Sequence, residues 1–152
     1  MRRAHSIHEM KEYLGRHSED KEAIAPVIAR LREQNYLDDG KFALDYARQH
    51  AQTRRQGRFR IARELRARGV PDRYIEAALD AVFAETDEAA LVRKRIERML
   101  GRMRSAVDRR KLASVHRSLL RAGFSADLIR SELRAFSSAE IPSLPDSPED
   151  QP

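Results

Sequence analysis

The chain contains no cysteine and no tryptophan. Disulfide scaffolds, thiolate metal sites and thiol catalysis are thereby excluded, which fits a reducing, cytoplasmic location. Glycine and proline occur only six times each in 152 residues, and aromatic residues make up 6%. The few glycines and prolines mostly fall between periodic segments, and no stretch alternates apolar and polar residues with period two. A β-sandwich or barrel is therefore not expected. Behind Met1-Arg2-Arg3-Ala4-His5 there is no apolar run of signal-peptide length, and nothing approaches a membrane span. Phosphate loops rich in glycine, zinc-ligand spacings and His-Glu-x-x-His are missing too. The five histidines, His5, His8, His17, His50 and His116, make no spaced ligand set. Asp38-Asp39 lies near an aromatic cluster, but two acids at the start of a helical pattern are better read as caps than as an acid–base pair. The sequence predicts no enzyme, no metal and no cofactor.

What is abundant is charge. Charged residues are 36% of the chain, the net charge is +6, and there are 25 Arg against 5 Lys. Arginine suits bidentate contacts to phosphate or carboxylate; an arginine-rich genome gives the same excess.

The apolar residues recur with helical spacing throughout. Ser6-Ile7-His8-Glu9 is a capping box, and the helix behind it turns Met10, Tyr13 and Leu14 to one side. A second helix is expected over about 19–34, with Ile24, Val27, Ile28 and Leu31 inward. Pro26 must kink it or delay its start, because proline removes a backbone donor. Asn35 is the expected cap at its end. Helices follow over about 39–53, 58–68 and 72–83. Phe42, Ala43 and Tyr46 form one stripe, Ile61, Ala62 and Leu65 the next, and Ile75, Ala78, Leu79 and Val82 the third. Glu64, four residues from both Arg60 and Arg68, is placed to pair with either. Thr86-Asp87-Glu88 opens a helix to about Arg104, with Val92, Ile96, Met99, Leu100 and Met103 inward. Asp108 caps a helix burying Leu112, Val115, Leu119 and Leu120. Ser125 caps a last one, with Leu128, Ile129 and Leu133 inward, to about Phe136.

These helices repeat. Leu14, Leu65 and Leu119 are equivalent, at offsets of 51 and 54, and so are Met10, Ile61 and Val115. Ile24, Ile75 and Ile129 match in the following helix, as do Ile28, Leu79 and Leu133. Gly69 and Gly123 fall at the same turn, where the first copy has Ser18; at such a turn glycine adopts a left-handed conformation without penalty. Each copy is a helix pair, and a further helix precedes the second and third copies. The expected fold is all-α: an elongated array of tandem three-helix units, about eight helices, with the first unit lacking its leading helix. Residues 1–136 make up the repeat domain. Residues 137–152 hold four Pro, four acids and no base, a composition expected to stay disordered. Without those four negative charges the helical part carries +10.

Basic residues crowd the first two helices of each unit. Between Arg48 and Arg73 there are nine Arg and two acids, and a second block runs from Arg93 to Arg121. Such faces attract nucleic acid or an acidic protein groove. The segment 58–83 has the outline of a helix-turn-helix. Its second helix, however, offers Asp72, Glu76 and Asp80 beside Arg73, the wrong sign for a major groove. A sequence-reading transcription factor is not expected, whereas salt-dependent backbone contact is compatible with the arginine rows.

The run Tyr36-Leu37-Asp38-Asp39-x-x-Phe42-Ala43-x-x-Tyr46, with Gly57-x-x-Arg60-Ile61-x-x-Glu64-Leu65-x-x-Arg68-Gly69-Val70, resembles the signature of the RecX family. Arg110-Lys111-Leu112 and Leu120-Arg121-Ala122-Gly123-Phe124-Ser125 with Ile129 are similar to the family's pattern in the third copy, as are Ser6-x-x-Glu9-Met10 and Leu14 in the first. Two features depart from it. Arg58 follows Gly57 where the family usually has proline, and the family's leading N-terminal helix has no counterpart, which leaves the first helix pair uncovered. The resemblance implies a regulator, mainly an inhibitor, of the RecA recombinase. Such a protein binds in the groove of the RecA–DNA filament, blocks extension and promotes disassembly, and so modulates recombination, DNA repair and the SOS response. Exposure on the helices selects the candidate contact residues: Arg60, Arg63 and Arg66, with Arg54, Arg55 and Arg58 in the leading turn, and Arg95, Arg98 and Arg102 on the third unit's first helix. Tyr36, Leu37, Phe42, Tyr46, Ile61, Leu65 and Gly69 read as structural. The partners expected are the RecA nucleoprotein filament and, through backbone contacts, DNA, with the chain a monomer and no membrane involved. The alternatives are a non-specific nucleic-acid-binding helical module that does not engage RecA, and a neutral scaffold.

Overall fold

The structure is a computed structural model. It describes residues 3–101 and 107–140, the side chains of 137–140 excepted. Among the described residues there are eight helices and no strand: α1 (Ile7–His17), α2 (Ile24–Glu33), α3 (Asp39–Gln52), α4 (Arg58–Ala67), α5 (Asp72–Glu85), α6 (Glu88–Gly101), α7 (Arg109–Arg121) and α8 (Ala126–Glu140). The caps that set these boundaries are the ones the sequence places there. Ser6 and Glu9 form a complete capping box, and the Asp38, Asp108 and Ser125 side chains accept from the backbone N–H groups of Lys41, Lys111 and Leu128. Pro26 delays the start of α2 to Ile24, so that the proline sits in the first turn, where no intrahelical donor is needed. Asn35 takes the left-handed conformation, with φ of 59°, just beyond that helix. Helix α8 continues to Glu140, four residues past its expected end. The continuation of α6 beyond Gly101, with Met103 and Arg104, lies outside the described residues.

Each three-helix unit has its own core. Ala43, Ala47, Ile61, Leu65, Ile75 and Val82 are among the buried residues of α3–α5, and Val92, Ile96, Val115, Leu119, Phe124 and Ile129 among those of α6–α8. The pair α1–α2 buries little beyond Ile28. Tyr13 and Val27, expected inward, are exposed, because no third helix packs on that side of the pair among the described residues. Leu120, also expected inward, is 42% exposed: Leu119 takes the core position, and the residue beside it on the helix turns outward. Tyr36, read as structural, is 75% exposed, since the left-handed Asn35 swings it out while Leu37 goes in.

The units join at equivalent positions in the repeat, through different hydrogen bonds. At the first junction the start of α1 seats on the turn between α4 and α5. The Ser6 hydroxyl donates to the Arg68 carbonyl at 2.6 Å, and the Ile7 N–H donates to the Asp39 carboxylate at 2.9 Å. At the second junction the start of α4 seats on the turn between α7 and α8. There the Gly57 N–H donates to the Ala122 carbonyl at 2.8 Å and the Phe59 N–H to the Gly123 carbonyl at 3.1 Å. Ser6 and Gly57 are 51 residues apart, and Arg68 and Ala122 are 54 apart, the offsets of the repeat. Both turns carry a glycine at positive φ, Gly69 at 74° and Gly123 at 98°. The approach at the second junction is close enough that a Cβ on Gly57 would lie 2.4 Å from the Gly123 carbonyl oxygen.

Candidate functional site: a basic cluster at the second junction

The second junction brings together arginines that are far apart in sequence. The loop between α3 and α4 is pinned by a buried pair: the Gln56 N–H donates to the His50 carbonyl at 3.1 Å, and Gln56 Oε1 lies 2.8 Å from His50 Nδ1. This fixes Arg55 in the left-handed region, with φ of 51°, a conformation uncommon for a residue with a Cβ. It also aims the Arg54 carbonyl at α6, where it accepts from Arg95 Nη2 at 3.1 Å. Arg95 is half-buried here. Burial, together with the charges of Arg60, Arg55 and Arg98, pushes its guanidinium below the ordinary arginine value. Four arginines thus stand near enough for the charges of three to act on the fourth. Of the four, Arg60 is the one ion-paired among the described residues, its Nε donating to Glu64 at 2.9 Å.

Glu64 organises the polar contacts behind this cluster. It accepts from the Tyr46 hydroxyl at 2.6 Å as well as from Arg60, and His50 Nδ1 stands 3.5 Å from it. The Tyr46 and His50 rings stack at 3.8 Å. Burial works against the charge on Glu64, but the hydrogen bonds from Tyr46 and Arg60 and the charges of Arg60 and His50 hold its carboxyl below the ordinary value. The stabilisation so gained is present above the ordinary value of 4.5 and is lost as pH falls through the lower, folded value. Glu64→Gln should therefore lower the melting temperature at pH 7 and make little difference near pH 3, as thermal melts at the two pH values would show. Arg68, expected to share Glu64, pairs instead with Glu9 at 3.0 Å and lies over the Tyr46 ring at 5.1 Å. Both oxygens of Glu64 are already taken, and Glu9 arrives from the neighbouring unit.

The other candidate residues divide. Arg58 stands apart from the cluster: it reaches Glu88 at 3.4 Å and covers the Phe83 ring, tying α4 to the α5–α6 corner. Arg66 is paired with Asp72 at 2.7 Å. Arg63 is exposed on α4 and makes no ion pair among the described residues. Arg54 lines a cavity of about 360 Å³ at the first junction, with Arg3, Tyr46, His50 and Arg68. Arg102 lies outside the described residues. Sequence reasoning placed Glu64 beside Arg60 but missed the polar group it belongs to, with Tyr46, His50 and Gln56. The spacing of Tyr46 and His50, one helical turn apart, was a further signal. Among the described residues no group of three His, Asp or Glu side chains is placed to hold a metal ion, and no helix is long and apolar enough to cross a membrane.

Residues 38–79 match the family model described as RecX, second three-helix domain. The regulatory protein RecX of Halorhodospira halophila is 39% identical over 134 residues, covering 88% of this chain and 81% of that protein. The chain belongs to the RecX family. The regulatory protein RecX of Pelodictyon phaeoclathratiforme is 32% identical over 152 residues, covering 99% of this chain and 88% of the relative. Against the RecX of Geobacillus kaustophilus, 32% identical, the chain spans 48% of the relative's length. The fold is similar to the crystal structure of RecX from Lactobacillus salivarius, with a TM-score of 0.77 at 21% identity over 89% of this chain and 87% of that one. The relatives are named as regulatory proteins, and the all-α repeat array is the fold of the RecX structures.

Proposed function

We propose that this RecX-family chain regulates the RecA recombinase, mainly as an inhibitor, by seating in the groove of the RecA–DNA filament, blocking its extension and promoting its disassembly. The observation that carries this reading is the cluster of Arg55, Arg60 and Arg98 around Arg95, beside the junction where the Gly57 and Phe59 N–H groups dock on the turn between α7 and α8. Like charges gathered on a half-buried guanidinium cost folding free energy, and an anionic partner offsets that cost on binding. A repeat array suits such a partner, because consecutive units can track neighbouring subunits of a helical filament. Activity in the cytoplasm, where RecA filaments assemble, follows from the same reading.

The test is single-strand-dependent ATP hydrolysis by RecA of the same organism, with the chain added far below the RecA concentration. A progressive loss of hydrolysis is expected, because stopping a growing end needs few molecules. Unchanged hydrolysis near equimolar amounts would contradict the proposal and leave plain nucleic-acid binding as the alternative.

A further inference from the structure

One stripe of α3 forms a side of the cavity at the first junction. Phe42, Asp45, Tyr46, Gln49 and His50 follow one another at spacings of three, four and one along the helix, so they lie on one face of it. All five line the cavity of about 360 Å³, and so does Arg54, two residues beyond the end of α3. The Phe42 and Tyr46 rings stack at 6.0 Å and the Tyr46 and His50 rings at 3.8 Å, which makes a continuous aromatic ladder.

The polar groups round this cavity fall into two sets. Arg3 and Arg68 are satisfied, since both donate to Glu9, and the Tyr46 hydroxyl donates to Glu64. The rest have no such partner. Among the described residues the Asp45 carboxylate, the Gln49 amide and the Arg54 guanidinium make no hydrogen bond and no ion pair. His50 is the buried member of this second set, at 6% exposure. Its Nδ1 donates to Gln56 Oε1, which leaves Nε2 a bare acceptor in the neutral ring, and Nε2 has no partner among the described residues. No fully buried side-chain nitrogen or oxygen among those residues lacks a partner. The little exposure that Nε2 keeps therefore lies at the cavity that His50 lines. A ring held by Gln56 on one edge and by Tyr46 on its face is a preorganised contact for a ligand.

We infer that this cavity binds a free mononucleotide, with Arg54 on the phosphate, the Phe42 and Tyr46 rings along the base and sugar, and Asp45 and His50 Nε2 accepting from N–H or O–H donors of the nucleotide. The lining calls for three features in one ligand: an anion at one end, hydrogen-bond donors at the other, and a flat body between them. Inorganic phosphate has only the first. A guanine base supplies the donors in the most suitable form, because its ring N–H and amino group stand side by side and match the two oxygens of one carboxylate. The volume lies in the range of small-molecule sites, and an aromatic wall with a few polar groups is their usual lining. The inference goes beyond the proposed function and does not depend on it. It concerns a small molecule at the joint where α1 seats on the second unit, away from the arginines around Arg95.

Isothermal titration calorimetry of the full chain with guanosine monophosphate, without RecA, tests it. The wild type should bind with a dissociation constant below about 1 mM. R54E should weaken binding at least about tenfold by setting a carboxylate against the phosphate, and D45N at least about tenfold by removing the charged acceptor. Neither side chain has a protein partner to lose, so both variants should melt as the wild type does. R63E, at an exposed arginine that does not line the cavity, should change affinity less than about threefold. Inorganic phosphate should bind at least about tenfold more weakly than the nucleotide. No binding of the nucleotide at millimolar concentration, equal binding by wild type, R54E and D45N, or phosphate bound as tightly as the nucleotide would each overturn the inference. Heat from a single-stranded oligonucleotide with none from the mononucleotide would overturn it as well.

Discussion

R95E/R98E should lose its effect on RecA-catalysed hydrolysis, needing at least about a hundredfold more protein for the same inhibition, and should fold as well as or better than the wild type. The first half follows from the charge-assisted hydrogen bonds removed, each worth roughly 1.5–3 kcal/mol where an ionised partner is engaged. The second half separates function from structure. Arg95 sits among Arg55, Arg60 and Arg98, and a carboxylate there turns mutual repulsion into attraction. Thermal melts should show an equal or higher midpoint for the variant. A lower midpoint with retained inhibition would reverse both halves of the argument. R58E should behave differently: it breaks the contact with Glu88 and the cover on Phe83, so it should act on stability first and on inhibition little.

Gly123→Ala should destabilise the protein by about 3 kcal/mol. Two costs add. A Cβ at φ of 98° is strained, at roughly 1–2 kcal/mol. The same Cβ would lie 2.4 Å from the Cβ and the backbone nitrogen of Arg60, and neither atom can swing away. Overpacking of that kind costs about 1–3 kcal/mol. Because the clash lies between units, the junction should open before the cores do, and the Gly57 N–H should lose its protection against hydrogen exchange first. Gly15→Ala is the matched control. It lies inside α1 with nothing within 4 Å of the added carbon, so it should stabilise by about 0.5–1 kcal/mol. Chemical denaturation of the two variants should give shifts of opposite sign.

The helices and their limits were legible because they depend on local chemistry. The capping box at Ser6, the acids at Asp38 and Asp108 and the delayed start at Pro26 each act within one turn of chain. The repeat was legible because identical packing needs residues such as Leu65 and Leu119 at the same place in each core. The arginines of the cluster were found by exposure, but their grouping was not. Arg55 and Arg60 come near Arg95 across the joint that Gly57 makes with the turn at Gly123, a contact between units that the helical period of one stripe does not encode. Matching α3 against α6 would have hinted at it, since Arg95 then falls where Tyr46 stands. The exposure of Leu120 was misread for a related reason: an apolar residue beside a stripe looks like part of it until its neighbour, here Leu119, takes the core position.

The most direct test of the account is filament growth itself, followed as the extension of fluorescent RecA along single-stranded DNA, with the wild-type chain and R95E/R98E each added at about one molecule per hundred RecA. The account predicts that the wild type halts extension and starts disassembly, and that the variant leaves growth at the rate of RecA alone. Extension unaffected by the wild type, or halted equally by both proteins, would contradict it.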